Sequence, residues 1–262
     1  MATASAHNST TRAGAIGIIP ARYGSTRLKA KPLVEIAGRS MLERVWRRAA
    51  QASSLERVLI ATDDERIARV GRDFAGAEAV VMTAADHPSG SDRVAQAAAG
   101  TEAAIIVNIQ GDLPLLDPET VDRLVAALQA DPAVEIATAA VDIENAEELA
   151  DPSAVKVTVD GRGRALYFSR SPIPYDRRRP GDFAGALHHL GIYAFRRAAL
   201  MRFAALEPGK LERKESLEQL RALENGIGIS VLVCPRGAAL EVDTAAGLES
   251  ARRAVEASDQ GR

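Results

Sequence analysis

Short unbroken apolar runs alternate along this chain with stretches whose apolar residues recur at helical spacing. Residues 16–19, 57–62, 79–82 and 104–109 are runs of the first kind, bounded by polar or turn residues. A strand that is apolar at successive positions has both faces buried, the signature of a parallel sheet covered by helices on its two sides. The intervening segments supply those helices. Ser40-Met-Leu-Glu43 has the form of a capping box, and after it Leu42, Val45, Trp46, Ala49 and Ala50 share one helical face. Trp46 therefore belongs to the core side of its helix and is not a platform for stacking a base. Helices are also predicted over 65–74, 93–99 and 117–129. The resulting β-α-β-α-β order implies an α/β fold with right-handed crossovers.

The pattern changes at residue 133. Residues 135–141, 155–160 and 165–169 read as strands, with Asp160-Gly-Arg-Gly163 as the hairpin turn between the last two. Residues 177–182 form a basic excursion best explained by solvation, and a further strand begins at His188-His189. Adjacent strand residues face opposite ways, so these two histidines do not form a pair by default. A helix is expected near 196–205 and another through 215–221, the latter carrying Glu215, Glu218 and Gln219 near one face. Leu217, Leu220 and Leu223 pack on its other side. Strand 229–233 and a final helix to about residue 257 complete a single domain over 15–257. Cys234 fills the core at or just past that last strand.

Composition narrows the function classes. The apolar share of 47% and charged share of 26% in 262 residues are ordinary for one large α/β domain. A formal net charge of −2 gives no general attraction to nucleic acid or an anionic membrane, so neither is expected as a partner. A single cysteine excludes an internal disulfide framework and a cysteine-rich metal site. Residues 1–14 are rich in Ala, Ser and Thr, without the apolar core of a signal peptide, and read as a disordered tail. No segment has the apolar length to span a bilayer, and a cytoplasmic protein is expected.

Against that neutral background one stretch stands out. The run Ile16-Gly-Ile-Ile-Pro20 reads as a strand that breaks at the proline into a loop bearing Arg22, Arg27, Lys29 and Lys31, with no acid before Glu35. Four cations on one loop repel each other unless an anion neutralises them, and Gly24 and Ser25 let backbone N–H groups approach that anion. At the edge of an open sheet such a loop suits a polyphosphate, ahead of the alternative of a solvated basic loop. Neither G-x-x-x-x-G-K-[ST] nor G-x-G-x-x-G occurs here, which counts against a P-loop NTPase and a dinucleotide enzyme. Asp112, closing the run 104–112, is placed where a carboxylate would hold Mg²⁺, although an Asp before a proline is also a common turn residue. Asp243 is a second such acid, with N-capping as its other reading. Ser89 and Ser91 are equally suited to capping the helix at 93–99 and to contacting a base or ribose.

Taken in order, the stretches Ile-Ile-Pro-Ala-Arg-Tyr-Gly-Ser-Thr-Arg-Leu, Lys-Pro-Leu, Ala-Thr-Asp, Asp-His-Pro-Ser-Gly-Ser-Asp-Arg, Val-Asn-Ile-Gln-Gly-Asp, Ala-Val-Lys-Val, Leu-Tyr-Phe-Ser-Arg, His-Leu-Gly-Ile-Tyr, Leu-Glu-Gln-Leu-Arg and Val-Asp-Thr resemble the 3-deoxy-manno-octulosonate cytidylyltransferase (CMP-Kdo synthetase) family. The resemblance runs from about Ile16 to Arg253. It implies a three-layer nucleotidyltransferase fold, Rossmann-like and of the glycosyltransferase-A type, with a small antiparallel subdomain at 133–193 that lines the sugar pocket and serves dimerisation. It also implies a Mg²⁺-dependent reaction, CTP plus Kdo giving CMP-Kdo and pyrophosphate, within lipopolysaccharide biosynthesis. By the matching motifs, Ala21, Arg22, Ser25 and Lys31 would hold the nucleotide, with Ser89, Gly90 and Gln110 along the nucleoside and sugar. Arg170, His189, Tyr193, Glu218 and Gln219 would line the sugar-acid pocket with Gln110. Asp112 and Asp243 would bind the metal, and Arg22, Lys31, Asp112 and Asp243 would form the catalytic set.

The chain departs from the family pattern at several positions. Leu113 replaces an acid and removes a charge near the metal strand. Glu241 replaces a glycine, and His188 replaces an arginine. With Arg213-Lys214, His188 would redistribute positive charge near the acceptor pocket. These departures bear on which sugar acid is accepted, so another 2-keto-3-deoxy acid or a nonulosonate remains the runner-up. A non-catalytic nucleotide-binding homologue is the alternative of a different class.

Overall fold

The computed structural model describes residues 14–24, 28, 30–236, 242 and 245–260. The tail expected at the N-terminus falls almost entirely outside the described residues, and so do Ser25, Glu241 and Asp243.

The first half of the chain builds the parallel part of the sheet. β1 (Ala15–Ala21) is followed by a small hairpin, β2 (Glu35–Ile36) and β3 (Arg39–Ser40), and by α1 (Met41–Ala49). Then come β4 (Leu55–Thr62), α2 (Glu65–Ala75), β5 (Val80–Met82), α3 (Gly90–Ala99), β6 (Ile105–Asn108) and α4 (Pro118–Ala130). The Ser40 hydroxyl caps α1 by accepting from the Glu43 N–H, but the capping box is only half realised, since the Glu43 carboxylate turns to Arg39 and Arg47. Trp46 packs against the core and donates to the Val58 carbonyl at 3.1 Å. Ala50, expected on the buried face, is exposed because α1 ends one residue before it. β1 does not break at Pro20 but continues to Ala21. Its pairing with β6 stops at Ile18, so the donor that Pro20 lacks has no partner left to serve on that side.

The second half joins the same sheet from the other edge. β7 (Ile136–Asp142) and α5 (Ala146–Ala150) precede the antiparallel pair β8 (Lys156–Val159) and β9 (Ala165–Ser169). The turn between them is the one expected: Gly163, at φ +75°, donates to Asp160 O. Next are the long β10 (Leu187–Arg196), α6 (Arg197–Ala204), α7 (Lys210–Glu215), α8 (Leu220–Glu224), β11 (Ile229–Val233) and α9 (Ala245–Gln260). The single helix expected through 215–221 is in fact two. Ser216 takes a left-handed conformation at φ 54° and ends α7, turning Glu215 and Glu218 toward different partners.

The strand order is β11-β7-β10-β6-β1-β4-β5, with β8 and β9 attached through β10. β6, β1, β4 and β5 are parallel, whereas β10 runs antiparallel to both β6 and β7. Side chains alternate between the faces as the pleat demands. Ile19, Ile60 and Val107 pack with Leu42, Ile67 and Leu124 of α1, α2 and α4, while Ile18, Leu59 and Ile106 pack with Val94 and Phe203 of α3 and α6. Three layers result. β10 is longer than β6: Tyr193 lies opposite Asn108, the last residue of β6, while Leu187 and His188 pair instead with β8. The sheet therefore forks at the carboxyl end of β6, and crevices of that kind are where ligands of α/β sheets bind.

Candidate active site

A cleft of about 620 Å³ is lined by side chains from both branches of the fork. From the parallel side come Arg22 after β1, Ser89 and Gly90 at the start of α3, and Gln110 and Asp112 after β6. From the other side come Arg170 after β9, His189 and Tyr193 on β10, and Glu218 and Gln219 between α7 and α8. These ten residues, scattered over two hundred positions of sequence, share one cavity. A smaller adjoining cavity of about 160 Å³ is lined by Ala21, Arg22, Ser89, Gly90 and Gln110 together with His87 and Arg93.

Lys31 Nζ donates to Asp112 Oδ2 at 2.6 Å, joining the cationic loop to the acid at the β6 end. Arg22 is exposed, and no hydrogen bond or ion pair to another described residue holds it. The chain returns to this point near its end, where the Val242 N–H donates to Asp112 O at 3.0 Å. Asp243 follows directly but lies outside the described residues. Gly111 lies against β1 at this corner, where a Cβ would stand 3.4 Å from Pro20 O.

Ser89 caps α3: its hydroxyl accepts from the Asp92 N–H at 3.3 Å and donates to Asp92 Oδ2 at 2.7 Å. Of its two sequence readings the cap is realised, and what the Ser89–Gly90 turn can still offer a ligand is backbone. Ser91 Oγ donates to Glu218 Oε1 at 2.7 Å and accepts from Asn108 Nδ2 at 3.0 Å.

On the opposite wall the charges are satisfied by the fold. Arg170 donates to the carbonyls of Glu215 at 2.7 Å, Pro152 at 2.9 Å and Ser216 at 3.3 Å. Burial opposes ionisation of Glu215, but the Arg170 N–H and the Ser169 and Tyr167 hydroxyls outweigh it and hold the carboxyl below its ordinary range. His189 is buried, which pushes its imidazole down to about 3 and keeps it neutral. Thr138 Oγ1 donates to Ile192 O at 2.7 Å, so His189 Nε2, at 2.9 Å, is the donor to that hydroxyl and Nδ1 is the ring's acceptor.

Two expectations drawn from the departures are corrected. His188 faces away from the cleft, with Nδ1 2.8 Å from Glu148 Oε1, and burial lowers its pKa despite that carboxylate. It adds no charge to the acceptor side. Leu113 is buried in the apolar cluster with Leu116, where an acid would lie in the core and not in the cleft. Arg213 does line the cleft, whereas Lys214 is not among the lining residues.

Sequence reasoning missed Asp92 and Arg221, which lie behind the walls, and Glu212, which joins them and also lines the cleft. Arg221 is 1% exposed and is held by Glu212 at 2.6 and 2.8 Å and by Asp92 at 3.2 Å. The Glu212 carboxylate, helped by Asp92, pushes the guanidinium above its already high value. Little in the local pattern marks them, since Glu212 lies in the polar stretch Lys210–Glu215 and Arg221 has Glu218 and Glu224 as its helical neighbours. Only the fold shows that the three meet.

A sequence profile of the cytidylyltransferase family matches residues 16–229. The chain is 48% identical over 251 residues to the 3-deoxy-manno-octulosonate cytidylyltransferase of Halorhodospira halophila, covering 92% of this chain and 96% of that one. It is 47% identical over 234 residues to the enzyme of the same name from Syntrophotalea carbinolica, covering 87% and 92%. Among solved structures it superposes on a CMP:2-keto-3-deoxy-manno-octonic acid synthetase complexed with CTP at a TM-score of 0.84 and 41% identity, covering 94% of this chain and 99% of that chain.

Proposed function

The chain belongs to the 3-deoxy-manno-octulosonate cytidylyltransferase family, and on that premise we propose that it transfers CMP from CTP to Kdo, releasing pyrophosphate. The observation that carries the reading is that both walls meet in one cleft: Arg22 and Asp112, the latter bonded to Lys31, on one side face Arg170, His189, Tyr193, Glu218 and Gln219 on the other. In the reaction the anomeric hydroxyl oxygen bonds to the α-phosphorus, the bond to the bridging oxygen breaks, pyrophosphate leaves and the hydroxyl proton is lost.

Both substrates are anions, so the protein must offset their repulsion and align them. Arg22 and Lys31 are the groups suited to phosphate oxygens, with the backbone at Ser89–Gly90 and Gln110 along the nucleoside. Arg170, His189, Tyr193, Glu218 and Gln219 line the acceptor side. His189 is held neutral with its Nε2–H committed to Thr138, which suits orientation of the acceptor and not proton removal. The donor set also fits Mg²⁺: Asp112 offers a hard carboxylate oxygen in the cleft, and Val242 brings the chain to Asp112 just before Asp243. Mg²⁺ there would neutralise phosphate charge and acidify a coordinated hydroxyl.

A homodimer joined through 133–193 goes with this reading, and Leu166 and Tyr175 are exposed large apolar side chains in that segment. No helix among the described residues is long and apolar enough to cross a membrane. A cytoplasmic step of lipopolysaccharide synthesis, where CTP is at hand, fits the assignment.

The test is pyrophosphate release from CTP, UTP or ATP offered with Kdo, a sialic acid or no acceptor. Release is expected with CTP and Kdo and is expected to stop when Mg²⁺ is chelated. Release with sialic acid alone, or with none of the acceptors, would overturn the assignment.

A further inference from the structure

Behind the cleft, side chains with no assigned part in the reaction tie its two walls together. Asp92, in the first turn of α3, holds the Ser89 hydroxyl through Oδ2 at 2.7 Å and Arg221 Nη1 through Oδ1 at 3.2 Å. Arg221 reaches both Glu212 oxygens and lies over the Phe203 ring at 4.7 Å. One residue along, Ser91 Oγ bonds Glu218 at 2.7 Å, and its N–H reaches the same carboxylate at 3.3 Å.

We propose that Asp92 and Arg221 are positioning residues that fasten the Ser89–Gly90 turn to the α7–α8 wall, so that the nucleotide side and the acceptor side of the cleft are set as one piece. The hydroxyl of Ser89 is spent on the cap, so the turn presents backbone, and the direction of that backbone follows the cap. Gly90 lies against Pro20 and Gln110: a Cβ there would stand 3.6 and 3.8 Å from them. A displaced cap would therefore move both the turn and its contacts with β1 and β6. The tie is stiff because Arg221 and Asp92 are almost excluded from water, and any other arrangement leaves a buried charge unpaired. The proposal rests on the cytidylyltransferase reading only for which ligand occupies each wall.

The test uses the full chain. Asp92→Asn keeps the volume and removes the charge facing Arg221 while leaving the Arg221–Glu212 pair in place. Ser91→Ala removes the shorter bond of the second tie and leaves only the backbone N–H to Glu218. Ser40→Ala removes a helix cap on α1, outside the cleft lining, and serves as the destabilised control. Asp92→Asn is expected to raise KM for CTP and for Kdo together by about tenfold, equivalent to about 1.4 kcal/mol of lost binding to each. Ser91→Ala acts in the same direction. Ser40→Ala lowers Tm without moving either KM. In hydrogen exchange, segments 86–95 and 210–224 are expected to lose protection together in Asp92→Asn. Unchanged KM values alongside a Tm drop like that of Ser40→Ala would overturn the proposal, as would faster exchange confined to 86–95. Absence of turnover by the wild type with every sugar acid would sink the acceptor reading alone, because the exchange measurement still decides the coupling.

Discussion

The two walls of the cleft both carry cations, and the fold treats them oppositely. Arg22 is exposed and tied to no other described residue, and Lys31 pairs with Asp112 at 2.6 Å where both side chains remain partly open. Across the cleft, Arg170 gives three of its five N–H donors to backbone carbonyls while still lining the cavity, and Arg221 is enclosed by two carboxylates and an aromatic ring. A guanidinium has five N–H donors and no way to lose its charge, so what matters is who takes the donors. Where the chain itself encloses the guanidinium, as at Arg221, the arginine is scaffold. Where the donors are left to solvent beside a cavity, an anionic ligand is the partner with most to gain. The comparison separates residues that bind from residues that hold the binding residues in place, a distinction residue type alone cannot make.

The largest effect should come from breaking the enclosed side. Arg221→Met leaves Glu212 and Asp92 buried without their cation and should cost about 3–5 kcal/mol of unfolding free energy, read from the urea midpoint. A loss below about 1 kcal/mol, the level of a surface pair, would erase the contrast between the walls.

Asp112→Asn tests the open side. Turnover should fall by about 10²–10³, the cost of removing a group that stabilises charge in the transition state. The unfolding free energy should change by no more than about 1 kcal/mol, since the pair with Lys31 is partly exposed. A variant that keeps wild-type pyrophosphate release would remove Asp112 from the catalytic set.

A smaller effect should appear in the pH dependence of stability. His189 is held neutral down to about pH 3 in the fold but titrates near 6.5 when unfolded. As pH falls below 6.5 the unfolded chain takes up a proton that the folded chain refuses. Stability, fully present above that pH, is therefore lost at about 1.4 kcal/mol per pH unit. His188 shifts in the same direction and adds to the slope. Glu215 and Glu148 have lowered values and add losses of the same sign, but only at more acid pH. His189→Gln should flatten the slope between pH 6.5 and 5, measured by denaturant unfolding, and an unchanged slope would contradict the buried neutral imidazole.

Much of this was legible beforehand because it depends on local pattern. The apolar runs became β1, β4 and β6, Ser40 became the cap that starts α1, and Asp160-Gly-Arg-Gly163 became a hairpin turn. The errors came where distant contacts outrank local preference. Pro20 stayed in its strand because the ladder beside it had already ended. Residues 215–221 gave two short segments, since Glu215 is drawn to Ser169 and Arg170 while Glu218 is drawn to Ser91. His188 and Leu113 were misread for the same reason: their direction is set by the face of an element, and their neighbours come from elsewhere in the chain.

The sequence by itself determined the elements, the family and the cast of polar residues, because periodicity, capping and motif order are properties of neighbouring positions. The tertiary structure alone decided which charges are open and which are spent. That depends on the fork between β6 and β8, where residues from both halves of the chain come within hydrogen-bond reach and the exclusion of water fixes what each one costs to leave unpaired.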